Sequence, residues 1–218
     1  MNTLKRFYEK FWTEDRGEFG SYVRNLELPG FFKKGELVLD VGCGDGVVGA
    51  FLQEKAGVKV TGIDISEEAV KKAKEKGVDA KVYSSEQKFP FENDAFDKVF
   101  WGDNIEHLFD PAQTIKEIRR VLKKDGKIIL SCPNMAYWRY RIHYFLRGSL
   151  PDTEWTGLAP WAWSHIRFFN LKILTCFFDT FGFKKINKVL GVSERRLDKP
   201  FLKINPSLFG MILIVEVE

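Results

Sequence analysis

A short apolar segment that carries an acid and then breaks into alternating glycines constrains the fold more than any other feature. The segment is 38–41, its acid is Asp40, and the glycines are Gly42, Gly44 and Gly46. A helix-forming stretch begins directly afterwards. This order predicts a strand, a tight turn and a helix, with backbone that can approach a ligand closely.

Two kinds of nucleotide-type cofactor site fit such a turn. The G-x-G-x-x-G spacing of dinucleotide-binding folds occurs at Gly44, Gly46 and Gly49. The D-x-G-x-G-x-G spacing of folds that bind S-adenosylmethionine (SAM) occurs as well, beginning at Asp40. A pyrophosphate is an anion and favours an uncovered helix N-terminus, whereas the amine of SAM is a cation and favours an acid at the strand end. The acid at position 40 therefore favours SAM, although the glycines alone do not decide.

A second predicted strand ends in Asp64, about 20 residues beyond the glycine turn, where acids accept hydrogen bonds from ribose hydroxyls. NAD enzymes use such an acid too, so the segments that follow are more informative. They are Phe96–Trp101, Asp110-Pro111, Glu117-Ile118 and Arg120–Ser131. With them, residues 36–134 resemble the class I SAM-dependent methyltransferases.

The resemblance implies an α/β fold with a Rossmann-like, seven-stranded, mostly parallel sheet, helices on both faces and an antiparallel last strand. We expect a single domain over 1–218, with an N-terminal helical cap at 1–30 and an acceptor-pocket insert at 134–168. The helix at 3–15 either packs on the domain or forms a lid over the cofactor. Ser66 and Asp110 are predicted helix caps. Residues 124–126 are predicted to form a turn that leads into a strand at 127–132.

The resemblance also implies where the cofactor binds. In many relatives, the loop after the third strand carries an acid that accepts from the adenine amine. Ser85 takes that place here with Glu86 beside it, and a hydroxyl can still accept a hydrogen bond. The predicted SAM-binding residues are Asp40, Gly42, Gly44, Gly46, Asp64, Ile65, Ser85, Glu86 and Trp101.

Two segments of the C-terminal third are more specific. A P-N-x-x-x-W-x-x-R segment covers 133–141 and an H-x-R-F-F segment covers 165–169, as in methionine-biosynthesis-type proteins and quinone or sugar methyltransferases. The aromatic and basic side chains of this insert either clamp a planar or anionic acceptor or pack the insert onto the sheet. We expect the acceptor between the insert, the N-terminal helix and the loop 102–107. The predicted acceptor residues are Asp103, Trp138, Arg139, His165 and Arg167.

The loop after the fourth strand resembles quinone O-methyltransferases, where an acid, two spacers, an acid and a histidine hold a divalent cation in some members. Asp103, Glu106 and His107 have that order. His107 is alternatively a general base or a structural residue, since imidazole titrates near neutral pH. We assign no metal, name His107 as the catalytic candidate and expect activity to be indifferent to chelators.

Composition limits the partners. A net charge of +4, from 34 basic and 30 acidic residues, is too small to indicate nucleic acid. No apolar run reaches the roughly 18 to 20 residues that span a bilayer, and charges interrupt the N-terminus where a signal peptide would be apolar. We therefore expect a cytoplasmic protein that has no membrane partner and binds a small molecule, and the oligomeric state is not predicted.

The predicted activity is methyl transfer from SAM to an oxygen or nitrogen atom of that small molecule. Two alternatives belong to other classes. One is a non-catalytic, accessory SAM-binding protein in a biosynthetic pathway, and the other is an RNA methyltransferase.

Overall fold

The structure is a computed structural model, and it describes residues 3–13, 23–153, 159 and 164–218. Three aromatic residues that the sequence places in the insert lie outside these ranges. They are Trp155, Trp161 and Trp163.

One sheet of seven strands runs in the order β3-β2-β1-β4-β5-β7-β6. The central strand β1 pairs in parallel with β2 and β4, β2 pairs in parallel with β3, and the last two strands are antiparallel. The predicted fold class is thus confirmed. The strands are β1 (Leu37–Val41), β2 (Lys59–Asp64), β3 (Asp79–Val82), β4 (Phe96–Gly102), β5 (Leu122–Pro133), β6 (Ile186–Val192) and β7 (Ile212–Val217).

Helices connect most consecutive strands, as the alternating pattern of the sequence predicts, whereas the segment 83–95 between Asp79–Val82 and Phe96–Gly102 contains no helix. One of the helices lies in the insert 134–168, for which no secondary structure was predicted. The helices are α1 (Thr3–Thr13), α2 (Val23–Glu27), α3 (Val47–Ala56), α4 (Glu67–Glu75), α5 (Pro111–Val121), α6 (Trp138–Arg147), α7 (Leu171–Thr180) and α8 (Pro206–Phe209). Within the described ranges, none is both long and apolar enough to cross a bilayer.

The chain divides into two compact units. The first comprises 1–102 and 110–129, and the second comprises 103–109 and 130–218. The first unit therefore contains the glycine turn and its flanking strands, while the second contains α6, α7, α8 and the two antiparallel strands. A single domain over 1–218 stays a prediction.

Local sequence signals set several element boundaries in the first unit. The Ser66 hydroxyl accepts a hydrogen bond from the backbone N–H of Ala69, and the Asp110 carboxylate accepts one from the N–H of Gln113. Both predicted caps are therefore present. The predicted turn at 124–126 is wrong, because β5 already begins at Leu122 and runs through Gly126.

The glycine turn needs its glycines for conformation and for space. Gly42, Gly44 and Gly46 have φ angles of 75°, 53° and 75°, which side chains with a Cβ rarely adopt. A Cβ on Gly46 would lie 2.7 Å from both the Cα and the Cβ of Ala73 in α4. The turn and α4 consequently pack backbone to backbone.

The N-terminal helix packs on the same region. The Glu9 carboxylate accepts hydrogen bonds from the hydroxyl of Ser66 and the N–H of Glu67, at the first turn of α4. The ring of Trp12 lies so close to Gly44 that a Cβ there would be 2.6 Å from it. The helix α1 is thus anchored on α4 beside the glycine turn, and its action as a lid stays a prediction.

Substituting Gly46 should cost stability for two reasons, strain at positive φ and overlap with α4. We expect Gly46→Ala to lower the free energy of unfolding by about 2 to 4 kcal/mol, measured by urea denaturation. Gly77→Ala is the matched control, because Gly77 has a φ of 80° but nothing lies within 4 Å of its Cβ position. It should lose only about 1 kcal/mol, and equal losses would contradict the packing argument.

Candidate functional site

The carboxylate of Asp40 lies at the carboxyl end of β1 and is 2% exposed. Its Oδ2 atom is buried and makes no hydrogen bond to any described residue. Burial raises the pKa of Asp40 to about 7; the charge of Arg24 opposes this rise and that of Asp64 adds to it. A buried carboxylate oxygen without a partner is costly, so this atom suits a cationic or hydrogen-bonding ligand.

A buried arginine from α2 accompanies this carboxylate. Arg24 is 6% exposed, and its Nε and Nη2 donate to the Asn25 Oδ1 at 3.0 and 2.8 Å. Its guanidinium also lies over the ring of Phe100, the residue paired with Asp40 across β1 and β4. Arg24 was not predictable from the sequence, because no motif surrounds it and only the fold brings its five-residue helix near Asp40.

Asp64, at the end of β2, is fixed by backbone donors on both sides. Its Oδ2 accepts from the N–H of Gly44 at 3.0 Å and its Oδ1 accepts from the N–H of Ser66 at 2.9 Å. Burial raises the pKa of Asp64 to about 6, against the lowering effect of hydrogen bonds from Ser66, Gly44 and Ile65. Each carboxylate oxygen has a second lone pair, so the group can still accept from a diol.

Three further predicted cofactor residues, Ser85, Glu86 and Trp101, lie in the loop after β3 and in β4. The backbone carbonyl of Ser85 accepts from the Thr114 hydroxyl at 2.8 Å, and the Glu86 carboxylate accepts from the N–H of Asp110. These bonds hold the loop after β3 against the start of α5. Trp101 is fully buried in β4. The part of each in binding a cofactor stays a prediction.

In the second unit, Asp103 has a strained backbone, with a φ of 46°. Its N–H donates to the carbonyl of Ser131 at 2.8 Å, and the Ser131 hydroxyl donates to its carboxylate at 3.0 Å. A left-handed conformation costs free energy in a residue with a Cβ, and these two bonds help to maintain it.

The turn 105–109 is attached to the H-x-R-F-F segment, about sixty residues later. The N–H groups of Ile166 and Arg167 donate to the carbonyl of Glu106 at 3.0 and 3.1 Å. The Arg167 side chain donates to the carbonyls of Leu108 and Phe109 at 2.8 and 2.6 Å. Arg167 therefore positions this turn. The contact of Arg167 with an acceptor stays a prediction.

The attachment brings together Glu106, His107 and His165. Glu106 is 1% exposed, and the His165 Nε2 lies 3.9 Å from its Oε1. The two imidazole rings meet edge to face, with centroids 4.7 Å apart. Each ring is oriented by a contact at Nδ1. The Nδ1 of His165 lies 2.7 Å from the Thr153 hydroxyl, and the Nδ1 of His107 lies 3.2 Å from the Ser164 carbonyl.

One coordinating atom from each of these three residues lies within 4.8 Å of the others. The sequence pattern suggested Asp103 as the third residue beside Glu106 and His107, but in the structure the third residue is His165. Burial lowers the pKa of His165 to about 4, although Asp103 and Asp152 act to raise it. Its imidazole is therefore neutral at neutral pH.

The other predicted acceptor residues lie at the start of α6. The indole N–H of Trp138 donates to the buried Asp198, which also accepts from Tyr137 and Ser193. Burial alone would raise the pKa of Asp198, but these hydrogen bonds bring it below its usual value. The guanidinium of Arg139 stacks at 4.5 Å over the Trp138 ring, and its buried Nε has no partner in the described part of the chain. Trp138 thus anchors the helix, whereas Arg139 has an unused donor.

Comparison with known proteins adds a family and a fold. Residues 25–217 match the family model described as methionine biosynthesis protein MetW. A SAM-dependent methyltransferase of Thermotoga maritima superimposes with a TM-score of 0.70 at 19% identity, covering 98% of this chain and 97% of that one. A SAM-dependent methyltransferase of Archaeoglobus fulgidus gives 0.66 at 20% identity, covering 99% of each chain.

Curated relatives are more similar in sequence but match over shorter regions. An uncharacterized protein of Methanocaldococcus jannaschii is 32% identical over 69% of this chain and 60% of its own length. A ubiquinone biosynthesis O-methyltransferase of Hydrogenovibrio crunogenus is 30% identical over 66% of this chain and 64% of its own length. A demethylmenaquinone methyltransferase of Listeria monocytogenes is 32% identical over 55% of each. The chain therefore spans less than two thirds of these relatives.

Proposed function

Because the chain belongs to the MetW family, we propose that it is a SAM-dependent methyltransferase that acts on a small molecule. The observation that carries the proposal is the buried Asp40, whose Oδ2 lacks a partner among the described residues beside a turn of positive-φ glycines. The names of the quinone-pathway relatives support a small acceptor.

The residues of the first unit fit SAM chemically. One end of SAM carries both an ammonium and a carboxylate group, which complement the buried charges of Asp40 and Arg24. The ribose is a diol, which complements the carboxylate of Asp64. When bound, SAM supplies a methyl group already activated on a sulfonium, so the protein needs mainly to align the reactants.

The residues of the second unit are our candidates for the acceptor. Arg139 offers an N–H donor and a planar cation stacked on an indole, which suits an anionic or oxygen-bearing acceptor. Where the acceptor must lose a proton, His107 is our candidate for taking it from the oxygen or nitrogen nucleophile in the metal-free protein.

Replacing Asp64 should weaken SAM binding, because the ribose hydroxyls would lose partly buried acceptors. We expect Asp64→Ala to cost about 1 to 3 kcal/mol of SAM affinity by titration calorimetry, that is, about 5- to 150-fold in Kd. Asp79→Ala, at an exposed position in β3, is the control and should bind SAM normally. Unchanged affinity in Asp64→Ala, or tighter binding of NAD than of SAM by the parent, would refute the cofactor assignment.

SAM affinity should increase with pH through the titration of Asp40. With a pKa of about 7, the ionised fraction of Asp40 rises from about a tenth at pH 6 to about a half at pH 7, so Kd should fall about fivefold. The amine of an amino acid remains protonated over this range. The Asp40→Asn variant should bind SAM more weakly and lose most of this pH dependence. The dependence that remains should come from the titration of Asp64. An equally steep pH profile in Asp40→Asn would show that another group is responsible.

Substituting the acceptor candidates should impair turnover but not cofactor binding. We expect Arg139→Ala and His165→Ala to lower kcat/KM about tenfold or more in a screen of metabolites that follows SAM consumption, with SAM affinity within about twofold of the parent. Arg147→Ala, an exposed arginine at the other end of α6, is the matched control. Full SAM binding without turnover of any small molecule would favour an accessory protein, and methylation of bulk RNA alone would favour the RNA class.

A further inference from the structure

We infer that Glu106, His107 and His165 form a binding site for a divalent transition-metal ion of the zinc type. The inference concerns the second unit alone and does not depend on methyl transfer. The sequence suggested Asp103 as the third ligand beside Glu106 and His107. In the structure, His165 takes that position in the cluster.

The separations suit ligands of a common ion. The distance of 3.9 Å between the His165 Nε2 and the Glu106 Oε1 exceeds that of a hydrogen bond. Zinc bonds to nitrogen and oxygen measure about 2.0 to 2.2 Å, so two ligands of one ion lie roughly 3 to 4 Å apart. The coordinating atoms of all three residues already lie within 4.8 Å of one another. An ion bound by all three residues would draw these atoms closer together.

The chemistry of the ligands selects the type of ion. Two imidazoles and one carboxylate are the protein ligands of many zinc sites that keep a fourth position open for water or a substrate. Magnesium prefers oxygen ligands in an octahedral arrangement, which two imidazoles do not provide. We therefore expect Zn²⁺ to bind far more tightly than Mg²⁺.

The surroundings orient the ligands as metal sites require. Ligand histidines usually donate one ring N–H to an oxygen atom, which fixes the ring and directs the other nitrogen to the metal. In His107 the Nδ1 faces the Ser164 carbonyl, which can only accept, and in His165 the Nδ1 faces the Thr153 hydroxyl.

Backbone bonds complete this arrangement. Ile166 and Arg167 hold the carbonyl of Glu106, which fixes the separation of the two segments that supply the ligands.

The test measures metal binding directly, without SAM or an acceptor. Untagged full-length protein is freed of metal with a chelator and titrated with Zn²⁺, and with Co²⁺ as a spectroscopic probe. We expect one Zn²⁺ per chain. His165→Ala and Glu106→Gln should each weaken it about tenfold or more and change the Co²⁺ spectrum. His143→Ala is the matched control, because it removes a histidine outside the cluster, and it should bind Zn²⁺ as the parent does.

Two results would overturn the inference: no stoichiometric Zn²⁺ binding by the parent, or unchanged binding in both His165→Ala and Glu106→Gln. Thermal unfolding of each variant checks that it is folded. If a variant is unfolded, Thr153→Val provides the second test, because it removes only the contact to His165 Nδ1 and should weaken Zn²⁺ binding in a folded chain. Zinc binding by a protein that fails to bind SAM would refute the proposed function and leave the metal site intact.

Discussion

A buried and a partly buried carboxylate at the ends of adjacent parallel strands are the constraint on which the first unit depends. Burial raises the pKa values of Asp40 and Asp64 to about 7 and 6, and Asp64 adds to the rise at Asp40. Ionising both without a ligand therefore costs free energy. Arg24 and the backbone donors of the glycine turn offset part of this cost, and a ligand with a cation and a diol would offset more. Such a ligand should stabilise the fold as it binds.

The second unit depends on a different constraint, the attachment of residues 164–167 to the turn 105–109. Four hydrogen bonds from Ile166 and Arg167 end on backbone carbonyls of that turn. Carbonyl groups near a buried site need donors, and an arginine supplies several in a fixed geometry. The H-x-R-F-F segment therefore has two roles in this unit: its arginine shapes the turn, and its histidine joins Glu106 and His107.

The sequence predicted those features that obey local rules. The caps at Ser66 and Asp110 need only a few neighbouring residues, and the glycine turn needs only its own spacing. Features that depend on distant segments were not predictable in this way. Arg24 reaches Asp40 through the fold alone, and His165 meets Glu106 across about sixty residues. Gly126 shows the opposite error, since a glycine typical of turns lies inside β5.

The start of α3 separates the two cofactor classes that the glycines left open. A dinucleotide places its pyrophosphate on the N–H groups at such a helix N-terminus, where a negative charge already present would repel it. Here the Asp45 carboxylate accepts from the N–H of Val47 at 3.3 Å and pairs with Lys76 at 3.0 Å. An anion would have to displace that carboxylate, whereas a cationic ligand at Asp40 would not. Asp45, within the turn, therefore favours SAM over a dinucleotide for the same reason as Asp40: a negative charge repels a pyrophosphate and attracts a cation.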